Sequence, residues 1–302
     1  MSTLLRPLST SELLDRTFFL YRNHLIVFAG ITAIADLPVL ALRLGNAALI
    51  AAQIYPSRLA TLMVLLAAKL VALGVSHAGT VIAVSDVHLD RNTSIRSAYA
   101  VARKSLLRVI WISIIVTIAI PFFIAFVGGF LVALILIPMS IGRVGAMPVA
   151  TGVVFLVGII AAWYWWLARA LVVPITMLEG TGLVDSMSRS KVLTEGRRGR
   201  GFIVSLLVVT LTYAITLLFQ SPAYATGGLH FASGHLIASV WSSILLSIGE
   251  FAGTTLAGPL LTIALTLMYY DARVRKEGFD LELMMATLAP ATEPAPAEPT
   301  AV

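Results

Sequence analysis

Three charged side chains lie inside long apolar segments of the sequence, where a charge is costly. Asp36, Lys69 and Glu250 each fall near the middle of a predicted membrane span. An unpaired charge at that depth costs several kcal/mol, so we expect all three to face the bundle interior and to have partners. One interpretation is a shared polar site for an ion, a proton or a lipid head group. The other is an Asp36–Lys69 pair that locks two spans, with Glu250 protonated or hydrogen-bonded.

Basic and aromatic residues form a second candidate site. Arg197, Arg198 and Arg200 make a short basic cluster that could serve either topology or a specific lipid head group. Upstream, the aromatic run 163–166 is followed by Arg169, a pattern typical of an interfacial aromatic belt beside a snorkelling cation.

Enzyme and metal signatures are missing from the sequence. There is no cysteine, P-loop, G-x-S-x-G elbow or dinucleotide fingerprint, and the five histidines show no metal-binding spacing. We therefore predict no catalytic residue, no metal and no cofactor, so that the protein is not an enzyme. An enzyme would need a Ser, His or carboxylate constellation at the inner interface.

The composition determines the class of protein that must position these residues. Hydrophobic residues make up 59% of the 302 residues and charged residues 12%, whereas soluble domains are about 45–50% apolar and about 25% charged. This excludes a soluble enzyme and predicts an all-α membrane protein. Six spans are expected, at about 24–44, 59–85, 106–127, 149–173, 202–220 and 236–270.

The basic residues predict the orientation of these spans. Of the 21 Lys and Arg, 17 fall on one side if both termini are cytoplasmic, which fits a bacterial inner-membrane, multi-pass protein. The apolar run 106–137 is long for one span, so residues 128–148 are either a loop or a re-entrant segment. Residues 1–285 form the predicted transmembrane domain, and the Ala/Pro-rich residues 286–302 form a disordered cytoplasmic tail.

Three short amphipathic segments precede spans one, three and five. They are Leu8–Asn23, Asn92–Lys104 and Thr181–Leu193, and the first opens with a capping box of Ser9 and Glu12. We expect each to lie as a helix in the cytoplasmic interface. Their similar placement indicates a pseudo-threefold repeat of one interfacial helix and two spans. A basic, partly amphipathic character common to short inner loops would also account for it.

Small residues mark the packing face of the last span. Gly249, Gly253 and Ala257 recur every fourth residue, which permits close helix contact within the chain or between copies. Pro259 follows and should kink or break the helix.

Three patches of the sequence resemble a known bacterial family. They are the opening Arg6–Arg22, a middle motif with Pro174, Glu179 and Gly180, and the C-terminal run Tyr269–Glu282. These patches resemble the membrane domain of the glycerophosphoryl diester phosphodiesterase family. The resemblance implies a membrane domain that stands alone, without the catalytic barrel that some members carry, and it transfers no catalytic residue.

These observations together predict a non-catalytic membrane accessory or scaffold protein. It would contact anionic lipids of the inner leaflet, a membrane-protein partner is a second candidate ligand, and no role in nucleic-acid binding is expected. The alternative is a transporter or lipid-translocating protein that uses Asp36, Lys69 and Glu250. A polar cavity joining those three side chains would favour transport, and a tightly packed centre would favour the scaffold.

Overall fold

The computed structural model describes residues 8–116, 146–226, 229–232, 235–279 and 285. This part of the chain is helical apart from one short β-hairpin. Five helical stretches within it are long and apolar enough to cross a membrane, which supports a multi-pass membrane protein. They are Leu25–Ala51, Arg58–His88, Leu156–Glu179, Arg198–Ala225 and Val240–Glu277.

The described elements include both short and long helices. In chain order they are α1 (Thr10–Asn23), α2 (Leu25–Ala51), α3 (Arg58–His88), α4 (Ile95–Ala102), α5 (Leu106–Ile114), α6 (Ala146–Leu167), α7 (Val172–Glu179), α8 (Leu183–Thr194), α9 (Arg198–Ala225), β1 (Leu229–Ala232), β2 (His235–Ala238), α10 (Val240–Ala257) and α11 (Pro259–Glu277). The strands β1 and β2 pair antiparallel between α9 and α10.

Several predicted boundaries differ from the structure. α2 continues to Ala51 and α9 to Ala225, so residues predicted as outer loops extend the helices. The predicted span 149–173 is divided by a turn at 168–171, before Pro174. Pro174 is buried in the first turn of α7, where a missing N–H is tolerated. The third predicted span beyond Val116, residues 128–148 and the tail 286–302 lie outside the described residues.

The last predicted span consists of two helices. α10 ends at Ala257, Gly258 forms the junction, and α11 begins at Pro259. Proline lacks an amide hydrogen and disfavours the helical conformation of the preceding residue, so it fits best at the start of a helix. The Tyr21 hydroxyl donates to the Leu256 carbonyl beside this break and thereby connects α1 to it.

The short helices α1, α4 and α8 coincide with the three predicted amphipathic segments. The expected capping box of Ser9 and Glu12 is present at α1. α4 packs closely against two long helices, because Gly30 of α2 faces the Ile95 side chain and Gly79 of α3 faces the Tyr99 ring. In agreement, the Tyr99 hydroxyl donates to the Ile31 carbonyl at 2.6 Å.

One apolar core joins the helices. It combines Phe28 and Ile31 of α2, Val81 of α3, and Ile263 and Leu267 of α11, all buried. Apolar residues of α1, α4 and α9 complete it: Leu13, Leu20, Ala98, Ala102, Val204 and Val208. The elements that carry the candidate sites are thus held by a shared interior.

The small-residue face of α10 packs against α9 within the chain. A side-chain carbon added at Gly249 would lie 2.4 Å from the Phe219 carbonyl oxygen, and one at Gly253 would lie 2.6 Å from the Thr216 Cα. Ala257 is fully buried, and its carbonyl accepts from the Thr212 hydroxyl at 3.3 Å. The stripe is therefore used for internal packing.

Adding one methyl group to this face should weaken the fold. We expect Gly253→Ala to lower the free energy of unfolding by about 1–3 kcal/mol, since the nearest obstructing atom is the Thr216 Cα in the backbone of α9. Gly45→Ala is the matched control, because nothing lies within 4 Å of the added carbon and helix propensity favours alanine. Thermal unfolding in detergent measures both, and an equally stable G253A would contradict the packing argument.

Candidate functional site

Asp36 and Lys69 form an ion pair between α2 and α3. The Lys69 Nζ donates to the Asp36 carboxylate at 3.0 Å. The Thr254 hydroxyl of α10 donates to the other carboxylate oxygen, also at 3.0 Å. The buried Asp36 carboxylate therefore links three long helices.

Glu250 pairs with Arg43, a residue that the sequence reasoning left out. The guanidinium contacts both carboxylate oxygens, at 2.6 and 2.9 Å, and so fixes the geometry of the α2–α10 contact. The sequence spacing between Arg43 and Asp36 could have indicated that Arg43 belongs to the same polar site. Arg43 lies seven residues after Asp36, about two helical turns, and hence on the same face of α2.

The two pairs lie side by side around a small cavity. It is lined by Asp36, Arg43, Lys69, Glu250 and Thr254 and has a volume of about 10 Å³. That is room for about one water molecule. The three predicted intramembrane residues are thus brought together, but they leave no space for an organic substrate.

A second polar cluster surrounds Asp271 at the end of the bundle that carries α1. The buried Asp271 carboxylate accepts from Arg200 at 2.7 Å and from Arg275 at 3.0 Å. It also accepts from the Leu8 amide at 2.7 Å, while Arg200 donates to the Ser9 carbonyl at 3.1 Å. We call these five residues the Asp271 cluster, and it fixes the start of the chain to α9 and α11.

A third cluster joins α7, α8 and α11. Glu179 pairs with Arg189 and accepts the Tyr269 hydroxyl at 2.8 Å, and Arg189 pairs with Glu277 at 3.0 Å. Burial alone would lower the pKa of Arg189, but the hydrogen bonds and charges of Glu179 and Glu277 raise it. Gly180 ends α7 in the left-handed region at φ 70°, a conformation that glycine adopts without strain.

The two clusters bring together the three sequence patches that carry the family resemblance. The opening patch supplies Leu8 and Ser9, the middle patch supplies Glu179, and the C-terminal patch supplies Asp271 and Glu277. Residues more than 250 positions apart are therefore neighbours at one end of the bundle. The role visible in the structure is the joining of chain segments.

The three arginines of the predicted basic cluster lie in two different environments. Arg200 donates to the Asp271 carboxylate, as described above. Arg197 is exposed, and Arg198 donates to the Tyr164 hydroxyl at 2.7 Å with its charge over that ring. Arg169 makes a similar aromatic contact, with its guanidinium 3.9 Å from the Trp165 ring centroid. Within the described residues, none of Arg169, Arg197 and Arg198 forms an ion pair with a carboxylate.

Metal ligation and known relatives provide no further assignment. Among the described residues, no group of three or more His, Asp or Glu is placed to hold a metal ion. No family model, no curated protein and no solved structure matches this chain. The functional proposal therefore rests on the contacts and charges within this chain.

Neutralising both members of the Asp36–Lys69 pair should be less harmful than neutralising one. Asp36→Asn and Lys69→Gln each leave a partly buried charge without its partner, so we expect each to destabilise the fold by about 3 kcal/mol. The double variant should lose less than the sum of the two. Unfolding free energies of the four proteins give the coupling energy, and strict additivity would show that the pair does not contribute.

The Asp271 cluster should control how firmly the start of the chain is attached. Asp271→Asn leaves Arg200 and Arg275 close together without a carboxylate, and we expect a loss of about 3 kcal/mol in unfolding free energy. Amide hydrogen exchange across residues 8–23 should then be faster than in the natural protein. Asp185→Asn removes an exposed carboxylate of α8 as the control, and equal exchange in both variants would exclude this role.

Proposed function

We propose that the protein is a non-catalytic, multi-pass accessory or scaffold protein of the bacterial inner membrane that binds anionic lipids. The observation that carries the proposal is the unpaired positive charge of Arg169, Arg197 and Arg198. We call these three residues the arginine patch. Such cations beside a membrane attract acidic head groups, at about 1 kcal/mol per residue.

The surroundings of the arginine patch support a lipid as the ligand. Tyr164 and Trp165 hold two of the guanidiniums, as aromatic residues do at the level of the head groups. A cavity of about 20 Å³ beside Arg197 and Arg198 has the apolar lining Leu167, Leu171, Leu193, Leu265 and Met268. It has room for only one or two water molecules, so a lipid would bind by its head group at the surface of the arginine patch.

The proposed topology has six spans with both termini in the cytoplasm. It is supported by the 17 of 21 basic residues that fall on one side. On this topology α1, α4 and α8 are interfacial elements, arranged as a pseudo-threefold repeat with the spans that follow them. The arginine patch then faces the anionic inner leaflet, and the elaborate polar surface of this end could also bind a partner protein.

Transport is the alternative function, and the packed centre weighs against it. Asp36, Lys69 and Glu250 surround a cavity of about 10 Å³, and each is engaged in an ion pair. A substrate could pass only if both pairs opened. Glu250→Gln tests this idea, since unchanged flux in a working vesicle assay would remove Glu250 from any transport mechanism.

Removing charge from the arginine patch should weaken the binding of anionic lipid. We expect the double variant Arg169→Gln, Arg198→Gln to bind phosphatidylglycerol about tenfold more weakly, because two unpaired cations are lost. Native mass spectrometry after incubation with vesicles of equal phosphatidylglycerol and phosphatidylcholine content reads the bound lipid. It also reads any protein partner that survives mild extraction.

Arg58→Gln is a single-charge control for this experiment, compared with Arg169→Gln alone and with the double variant. Arg58 is the first residue of α3. It is exposed and forms no ion pair among the described residues. It should leave the bound lipid unchanged. If R58Q reduced phosphatidylglycerol binding as much as the double variant, the effect would reflect net charge and the arginine patch would not be a lipid site.

A further inference from the structure

A large cleft of mixed charge opens between α1 and the end of α3. Its volume is about 850 Å³, which is far larger than the mid-bundle cavity. Five charged or ionisable side chains in its lining carry the argument: Asp15, Arg16, Arg22, His88 and Asp90. We call it the α1 cleft. Glu12 also contributes to its lining, but the Glu12 carboxylate accepts the Ser9 amide hydrogen in the capping box.

Arg16 is a half-buried cation that has no carboxylate within ion-pair distance in the described part of the chain. It forms no ion pair there, although its guanidinium is partly removed from water. Burial also lowers the pKa of Arg16, which reflects the cost of keeping this charge out of solvent. A partly desolvated guanidinium of this kind is a strong attractor for an anionic group.

His88 has unused hydrogen-bonding groups at the same place. Both of its ring nitrogens are buried, and neither has a hydrogen-bond partner among the described residues. The ring packs against Tyr270, with 4.7 Å between centroids, and the Tyr270 hydroxyl is already shared with Ser85 at 2.8 Å. Arg16, His88 and Asp271 also line a second cavity of about 10 Å³, so Arg16 and His88 are close neighbours. The unpaired His88 nitrogens and the half-buried Arg16 guanidinium mark a place where polar groups lack a partner.

Two carboxylates in the same cleft also lack an ion-pair partner among the described residues. Asp15 and Asp90 are exposed, and within the described residues neither forms an ion pair. Asp90 has a φ of 60°, so the backbone turns sharply where this carboxylate enters the cleft lining. With Arg16 and the exposed Arg22, these two carboxylates give the cleft groups of both signs. A ligand with one negative and one positive group could satisfy both halves of the cleft.

The position of the cleft points to a membrane lipid as the source of such a ligand. It lies where α1 leads into the membrane-length helix α2, and Phe19 in its lining is 58% exposed. Ile26, in the first turn of α2, is 80% exposed. Apolar side chains beside a polar cleft are the expected surroundings of a head group and its acyl chains.

We propose that the α1 cleft binds the head group of a zwitterionic amino-phospholipid. The phosphate is held by Arg16 beside the His88 ring, and the primary ammonium is held by Asp15 and Asp90. This site is separate from the arginine patch and takes a different class of lipid, so it goes beyond the proposed function. Loss of one site should leave binding at the other unchanged.

Binding of short-chain lipids to the full chain in detergent tests this proposal. The probes are dihexanoyl phosphatidylethanolamine, dihexanoyl phosphatidylglycerol and free phosphoethanolamine, each titrated and read by native mass spectrometry. In the Arg169→Gln, Arg198→Gln background, which removes the phosphatidylglycerol site proposed above, we expect the protein to prefer phosphatidylethanolamine to phosphatidylglycerol. Arg16→Gln should weaken phosphatidylethanolamine binding roughly tenfold through loss of a charge-assisted contact. Arg96→Gln, an exposed arginine of α4, should change nothing.

Asp90→Asn is an independent second test of the proposal, and it remains informative if the R16Q variant does not fold. Asparagine tolerates the positive φ at this position, so only the charge is lost. We expect D90N to lose its preference for the ethanolamine head group over the glycerol head group. If the free head group binds as tightly as the lipid, the zwitterion chemistry stands and the natural ligand is the soluble molecule.

Two results would overturn the proposal. One is an R16Q variant that binds phosphatidylethanolamine as tightly as the natural protein does. The other is a D90N variant with an unchanged preference between the two lipids. Because the variants of the arginine patch are measured separately with phosphatidylglycerol vesicles, either failure here is distinguishable from a failure of the anionic-lipid function.

Discussion

A charge among apolar side chains must be neutralised within the protein, and much of this structure follows from that constraint. Asp36, Lys69, Arg43 and Glu250 satisfy it in two adjacent ion pairs between α2, α3 and α10. An isolated charge at this depth would cost several kcal/mol, so the three helices are held in one relative register. The cavity between the pairs is correspondingly small, and the centre is better suited to fixing helices than to passing a substrate.

The same constraint explains the polar clusters at the end of the bundle that carries α1. Asp271 is buried and gathers two arginines and the Leu8 amide, and Glu179 gathers Arg189 and the Tyr269 hydroxyl. Each cluster joins segments that are far apart in sequence. Carboxylates placed in this way hold the short helices α1 and α8 against the bundle, since these helices are too short to be stable alone.

Charged side chains that form no ion pair among the described residues indicate where a ligand could bind. Among the described residues, Arg169, Arg197 and Arg198 of the arginine patch form no ion pair, and neither do Asp15, Arg16 and Asp90 of the α1 cleft. Both sites lie at or near the ends of membrane-length helices. On our proposals the two sites would select different lipids, because carboxylates line only the α1 cleft.

The sequence by itself determined the helical membrane class, the approximate positions of the long helices and the presence of α1, α4 and α8, because apolar run length and capping residues are local signals. It also identified Asp36, Lys69 and Glu250 as residues that need partners. Only the tertiary structure decided that Arg43 pairs with Glu250, that Arg200 belongs to Asp271, and that Arg16 and His88 share a cleft. Ion-pair partners and cleft neighbours depend on which helix faces meet, and no local pattern of apolar and polar residues specifies that choice.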